Sequence, residues 1–123
     1  MKFTGISTVY VYVGNIEESK EFYSKTFSMG KPINETPNWV EWKAGNGANF
    51  AIKKARDHIF EGSVPRRSTI RFFLEVPDVR AAYNELFEKG IRVLSEPQEG
   101  TNYVYVDVLD IDRNVIRLVQ HLK

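Results

Sequence analysis

Tyrosines recur at every second position in two segments of this 123-residue sequence. Tyr10 and Tyr12 alternate with valines in the first segment, as do Tyr103 and Tyr105 in the second. Alternation with period two is typical of a β-strand, whose successive side chains point to opposite faces. The tyrosines of each strand are therefore predicted to share one face, where their rings could stack on a flat molecule.

Strand parity places charged side chains beside these tyrosines. Arg71, Phe73 and Glu75 share one face of a further predicted strand, and Arg117 shares a face with two valines near the C-terminus. A guanidinium binds carboxylates in a bidentate fashion and stacks on aromatic rings, so the arginines could hold an anionic or carbonyl-bearing ligand. The residues predicted to bind such a ligand are Thr8, Tyr10, Tyr12, Arg71, Phe73, Tyr103, Tyr105 and Arg117.

An alternative interpretation of the same residues is structural. Arg71 and Arg117 could form ion pairs with Glu75, Asp107 or Glu41, and the tyrosines could pack a dimer interface or the floor of a groove. Both interpretations stay open at the level of the sequence, because arginine suits either of them.

A catalytic residue cannot be named from the sequence. Glu75 is a weak candidate for a general base, provided that the face shields it from water. Arginine could stabilise an oxyanion electrostatically, but it cannot act as a base at neutral pH. The sequence has no Ser-His-Asp set, phosphate-binding loop or dinucleotide fingerprint, and the absence of cysteine excludes disulfides and thiolate chemistry.

The elements that carry these residues occur twice along the chain. A strand at 9–13 is followed by a helix that Asn15 caps, and a strand at 69–76 is followed by a helix that Asp78 caps and Gly90 ends. The two halves align with an offset of 63 residues. Further strands are predicted at 37–43, 48–54, 91–95, 101–109 and 114–120.

This repeat resembles the vicinal oxygen chelate superfamily, which contains glyoxalase I, extradiol dioxygenases, fosfomycin-resistance enzymes and bleomycin-binding proteins. Phe22-Tyr23 and the segment 110–120 carry the resemblance, although Ile111 and Arg113 replace the usual proline and glycine of its turn. It implies an α+β fold of paired β-α-β-β-β modules whose mixed, curved sheet forms a concave groove. The expected organisation is one domain, 1–123, with module one at 1–55, a linker at 56–68 and module two at 69–123.

The resemblance also implies where metal ligands would stand in metalloenzyme members. Two of these positions, histidines in the family, fall on Thr8 and Arg71, and a glutamate position falls on Arg117. The fourth falls on Ala51 or Lys53. Cationic and apolar side chains offer no lone pair to a divalent ion. We therefore expect no metal and no other cofactor.

Composition sets the remaining expectations. The net charge of +1 gives no long-range attraction to nucleic acid or to an anionic membrane, and no apolar run is long enough to span a bilayer. The N-terminus lacks the pattern of a signal peptide, which predicts a cytoplasmic protein. Small members of the resembled family commonly form homodimers, so a homodimer is expected here as well.

The sequence thus predicts a metal-independent protein that binds a small organic molecule, anionic or aromatic, in a groove lined by arginine and tyrosine. Two alternatives remain: a glyoxalase-like lyase or isomerase that uses non-standard residues, and a non-catalytic assembly protein.

Overall fold

The alternating valines and tyrosines near the N-terminus form strand β1, Thr8–Val13, as predicted. The computed structural model describes residues 1–2, 4–55 and 73–122. The chain divides into two compact units, unit 1 (Met1–Arg66) and unit 2 (Arg67–Lys123). The predicted linker at 56–68 lies outside the described residues.

Unit 1 is a β-α-β-β-β module with one mixed sheet. Strand β1 pairs in parallel with β4, which pairs antiparallel with β3, and β3 pairs antiparallel with β2. The elements after β1 are helix α1 (Ile16–Glu21), a π-helical segment (Phe22–Thr26), β2 (Asn34–Thr36), β3 (Trp39–Trp42) and β4 (Asn49–Lys54).

The first helix begins where it was predicted but does not stay α-helical. The Asn15 side chain accepts a hydrogen bond from the Glu18 backbone N–H, at 3.0 Å, which caps the helix. From Phe22 onward the helix widens, and the Phe27 N–H donates to the carbonyl of Phe22, five residues earlier. The buried rings of Phe22 and Tyr23 both pack against Phe27 there.

The strand predicted at 37–43 is shorter in the structure, and β2 was not predicted. The chain turns at Pro37 and Asn38, because proline has no backbone N–H to donate to a ladder. Strand β2 escaped prediction because its three residues are polar and exposed, so that they lack an apolar alternation.

Unit 2 repeats the module with the same strand order. Strand β5 pairs in parallel with β8, which pairs antiparallel with β7, and β7 pairs antiparallel with β6. The elements are β5 (Phe73–Glu75), α2 (Val79–Glu88), β6 (Gln98–Gly100), β7 (Tyr103–Leu109) and β8 (Val115–His121). As predicted, Asp78 caps α2, by accepting from the Ala81 N–H at 3.1 Å.

The prediction of a strand at 91–95 was wrong. Only Val93 forms a bridge, to Val108, and the strand that pairs with the outer side of β7 is β6. Pro97 follows shortly after and cannot donate to a ladder, so the segment does not extend into a strand.

Each sheet packs one face against its own helix. In unit 1 the rings of Tyr23, Trp42 and Phe50 form the buried cluster, with centroids 4.8 Å apart for Tyr23 and Phe50. In unit 2 the buried apolar residues on the helix side of the sheet come from α2, β7 and β8, and are Val79, Leu86, Val104, Val106, Val108, Ile116 and Leu118. The opposite face of each sheet carries the predicted tyrosines.

An ion pair ties each helix to the edge strand of its own sheet. Lys20 of α1 pairs with Glu35 of β2, and Arg80 Nη2 of α2 lies 3.0 Å from Glu99 Oε1 of β6. Both pairs are at least partly exposed. Paired β-α-β-β-β modules with mixed sheets confirm the predicted α+β fold. None of the described helices is long and apolar enough to cross a bilayer.

The turn between β7 and β8 is built around a buried carboxylate. Asp110 Oδ1 accepts hydrogen bonds from the backbone N–H groups of Asp112 and Asn114, at 2.9 and 2.8 Å. Arg113 has a φ of 65°, in the left-handed region where a β-carbon is unfavourable. The arginine thus adopts a conformation that suits the glycine it replaces.

Replacing Arg113 by glycine should stabilise the protein. Relief of the left-handed strain is partly offset by the greater freedom of glycine in the unfolded chain, so we expect a gain of up to about 1 kcal/mol. Arg113→Ala is the matched control, since it removes the same charge but keeps the β-carbon. Urea unfolding should place Arg113→Gly above both wild type and Arg113→Ala, and equal stability of the two variants would contradict the assignment of strain.

Candidate functional site

Three residues of unit 2 lie in one row across its sheet. In the strand register Phe73 of β5 is opposite Arg117 of β8, and Arg117 is opposite Asp107 of β7. Residues directly opposite each other share a face, so these side chains are neighbours. Tyr103 and Tyr105 of β7 share that face by strand parity.

Arg117 and Asp107 form a bidentate ion pair. Arg117 Nε donates to Asp107 Oδ1 at 2.8 Å, and Nη2 donates to Oδ2 at 3.0 Å. The side chains are 30% and 22% exposed, respectively. The hydrogen bonds that Arg117 donates to Asp107 raise the pKa of Arg117 above its ordinary value, against the opposing effect of burial. Of the three ion-pair partners that the sequence left open for Arg117, the structure has Asp107.

The same guanidinium packs on aromatic rings. Its central carbon lies 3.9 Å from the centroid of Tyr105 and 5.3 Å from that of Phe73. The rings of Tyr103 and Tyr105 are 5.8 Å apart. A β-carbon on Gly100, the strand partner of Tyr103, would overlap the Tyr103 ring, so glycine there allows the ring its position. Phe73, Tyr103, Tyr105 and Arg117 are therefore brought together as predicted.

The corresponding face of unit 1 is aromatic as well. The ring of Tyr10 makes an edge contact with Tyr12, at 5.6 Å between centroids, and contacts Trp39 at 5.3 Å. Lys53 Nζ lies 5.7 Å from the centroid of Tyr10. Tyr10 is 42% exposed, whereas Thr8 and Tyr12 are half-buried.

Glu41 lies at the centre of this face and is 9% exposed. Its Oε1 accepts from Trp39 Nε1 at 3.0 Å, and its Oε2 accepts from Asn49 Nδ2 at 2.7 Å. The hydrogen bonds from Asn49 and then Trp39 lower the pKa of Glu41, and Asn34 acts in the same direction, while burial opposes them. The carboxylate is therefore ionised at neutral pH, although it is almost entirely buried.

The sequence did not identify this cluster. Glu41 appeared there only as a potential ion-pair partner, and Trp39, Asn49 and Asn34 were not singled out. The alternation of Trp39 and Glu41 was a usable signal that they share a face. However, the missed strand β2 left no means of placing Asn34 opposite Glu41, where the register puts it.

The strand registers make the two faces comparable row by row. Tyr10 is opposite Ala51 in β4, and Ala51 is opposite Glu41 in β3. Because the strand orders match, this row corresponds to Phe73, Arg117 and Asp107 in unit 2. Of the two candidates for the fourth metal-ligand position, Ala51 is thus the counterpart of Arg117.

Glu75, the candidate for a general base, stands apart from these clusters. The Glu75 side chain is 77% exposed, and its Oε1 lies 3.7 Å from His121 Nε2, so unit 2 does not itself provide the shielding on which a role as base depended. Arg71 lies outside the described residues.

Of the positions that the resemblance assigns to metal ligands, the three that the structure describes carry no ligand set for a metal ion. Thr8 and Ala51 offer at most one neutral hydroxyl, and the guanidinium of Arg117 is positively charged and bound to Asp107. In the part of the chain that the structure describes, no three His, Asp or Glu side chains are grouped to hold a cation.

Residues 5–118 match the model of the Glyoxalase/Bleomycin resistance protein/Dioxygenase superfamily. The chain belongs to this superfamily. The resemblance inferred from the sequence is thereby confirmed over nearly the whole length of the chain.

Similar proteins agree with this membership. The uncharacterized protein YetH of Bacillus subtilis (strain 168) is 26% identical over 117 residues, which cover 92% of this chain and 95% of YetH. A glyoxalase-related enzyme from Fulvimarina pelagi superposes with a TM-score of 0.77 at 17% identity, covering 97% of this chain and 89% of that one. A lactoylglutathione lyase from Agrobacterium tumefaciens gives 0.75 at 14%, covering 98% and 96%. At these identities the structural matches show the shared fold.

The lowered pKa of Glu41 makes a prediction about acid stability. The pKa of a glutamate in an unfolded chain is near 4.3, and that of Glu41 is lower in the folded protein. The ionised carboxylate therefore stabilises the fold at pH values above the unfolded pKa. This stabilisation is lost as the pH falls through the folded pKa. Glu41→Gln should therefore be less stable than wild type at pH 7, and the difference should shrink toward pH 3. Urea unfolding at several pH values tests this, and a gap that is independent of pH would contradict it.

Proposed function

We propose that this protein is a metal-independent member of the superfamily that binds a small aromatic molecule carrying a carboxylate, phenolate or carbonyl group. Arg117, Tyr103, Tyr105 and Phe73 hold the ligand in unit 2. The other residues predicted from the sequence to bind a ligand, Thr8, Tyr10 and Tyr12, lie on the aromatic face of unit 1.

The observation that carries this proposal is the position of the Arg117 guanidinium. It packs on Tyr105, and Asp107 engages only two of its five N–H donors. The side chain keeps 30% of its surface exposed. A carboxylate or carbonyl oxygen could accept from the remaining donors while its aromatic part stacks on tyrosine. Since Asp107 already offsets the positive charge, the preference for an anion should be moderate.

A second candidate is a non-catalytic role in assembly. It is favoured by the exposure of Tyr10 and of Phe73, which is 54% exposed. A homodimer is part of both candidates, as is a cytoplasmic location without nucleic-acid or membrane partners. A glyoxalase-like lyase or isomerase reaction would need a base that unit 2 by itself does not shield.

Binding of an anionic aromatic ligand should depend on Arg117. Thermal-shift screening should favour benzoates and phenolates over neutral analogues, and Arg117→Ala should weaken binding of the best one about tenfold, as expected for one charge-assisted contact. Asp107→Asn should strengthen binding, because it leaves the guanidinium unneutralised. Arg80→Ala is the matched control, since it removes an exposed arginine on the helix of the same unit.

Urea unfolding of the same variants separates a binding role from a structural one. If the ion pair is purely structural, Arg117→Ala should clearly lower the free energy of unfolding. The loss should be smaller than the roughly 3 to 5 kcal/mol expected for a fully buried pair, because this pair is partly exposed. Such a loss, with no preference for anions in wild type, would leave the assembly role as the better candidate.

Metal independence has its own test. Because Thr8, Ala51 and Arg117 offer no ligand set, protein purified without chelators should contain less than one equivalent of zinc, nickel, manganese or iron by elemental analysis. One equivalent that resists dialysis and disappears on Asp107→Asn would show that the assignment of the family's positions is incorrect.

A further inference from the structure

The row of side chains in unit 1 that corresponds to the row of Arg117 in unit 2 contains no cation. In unit 2 the row consists of an aromatic ring, a guanidinium and a carboxylate, from Phe73, Arg117 and Asp107. Unit 1 keeps the ring and the carboxylate, in Tyr10 and Glu41, but the residue between them is Ala51. The aromatic neighbour is also kept, since Trp39 stands where Tyr105 stands in unit 2, two residues before the carboxylate on the same face.

The carboxylate of this row is ionised without a cationic partner among the described residues. Its hydrogen bonds come from the indole of Trp39 and the amide of Asn49, and the amide of Asn34 acts in the same way, so that all three donors are neutral. Within residues 4–55 and 73–122, no lysine or arginine nitrogen lies within 4.0 Å of it. A carboxylate has about four acceptor positions, so at least one remains available.

The aromatic side of the row is suited to a cation. Tyr10 presents 42% of its surface, and Lys53 Nζ already lies 5.7 Å from its ring centroid. Ring faces attract ammonium and guanidinium groups, more strongly where water is excluded. The Arg117 guanidinium in unit 2 shows the kind of group that matches such a ring and carboxylate, with 5.3 Å to Phe73 and 2.8 Å to Asp107.

We propose that Tyr10, Trp39 and Glu41 form a second binding site, in unit 1, which takes the guanidinium, amidinium or ammonium group of a small organic cation. The bound cation places a positive charge beside Glu41, as Arg117 does beside Asp107 in unit 2. One of the hydrogen bonds that it donates to Glu41 replaces the one from the Trp39 indole N–H. This site goes beyond the function proposed above and does not depend on it, because it lies in the other unit and selects the opposite charge.

Benzamidine is a suitable probe, because it joins a planar amidinium to a ring, and benzamide is its neutral isostere. The chain has two tryptophans, so the two indole N–H signals in a ¹⁵N NMR spectrum can be assigned with a Trp39→Phe variant. Benzamidine should shift the Trp39 signal in the full chain, while benzamide at the same concentration should not. Equal shifts from both compounds would overturn the proposal.

Three variants make the test specific. Glu41→Gln should weaken benzamidine binding about tenfold or more, as the loss of a charge-assisted contact predicts. Lys53→Gln, at an exposed position, should strengthen it severalfold by removing a competing cation. Ala51→Arg should abolish it, because the new guanidinium occupies the row as Arg117 does in unit 2.

The variants also keep the outcome decidable if one of them fails to fold. Lys53→Gln changes an exposed side chain, so unchanged or weaker binding in that folded variant would count against the site. Folded Glu41→Gln or Ala51→Arg protein that binds benzamidine like wild type would overturn it. Benzoate binding that requires Arg117, and is unaffected by Glu41→Gln, would support the unit 2 site alone.

Discussion

The parallel pairing of the first and last strands is the constraint on which each unit depends. Strand β1 pairs with β4, and β5 pairs with β8, so the last strand of each module returns to lie beside the first after the chain has passed through a helix and two further strands. This pairing aligns Tyr10 with Ala51 and Phe73 with Arg117, residues far apart along the chain. A shift of one residue would turn every side chain of the strand to the opposite face. The apolar packing of valines on the helix side therefore also determines which polar groups meet on the other side.

The two units satisfy the carboxylate of the matching row in different ways. In unit 2 Asp107 is neutralised by a cation of the chain itself, Arg117, through two hydrogen bonds. In unit 1 Glu41 is held by neutral donors, and its charge is retained. Hydrogen bonds from amides and indoles stabilise an anion but leave its field uncompensated. A repeated architecture has thus produced two faces with different electrostatics.

Much of the fold could be predicted because its signals are local. The alternation in β1 and the caps at Asn15 and Asp78 depend on short spacings, and the repeat is visible because these short patterns recur 63 residues later. The predictions of strands failed where backbone pairing, and not the side-chain pattern, determines whether a strand forms. Strand β2 has no apolar alternation, and the segment around Val93 has the alternation but forms only one bridge.

The candidate site was predicted less completely for a related reason. Strand parity correctly grouped Phe73, Tyr103, Tyr105 and Arg117, because parity is a local property. The partner of Arg117 was one of three open choices, since it depends on the register between β7 and β8. The hydrogen bonds around Glu41 join three strands, and no spacing along the chain indicates them.

The edge strands β2 and β6 bear on how the protein behaves at high concentration. An exposed strand edge offers unpaired backbone groups to other chains and can begin aggregation. Here both strands are only three residues long, polar and exposed, and each carries a glutamate held by a cation from the helix of its unit, Lys20 or Arg80. A neighbouring chain would have to bring its backbone beside these charges to extend either sheet. Crowded solutions of the protein should therefore resist fibril growth from these two edges, at little cost to the stability of either sheet.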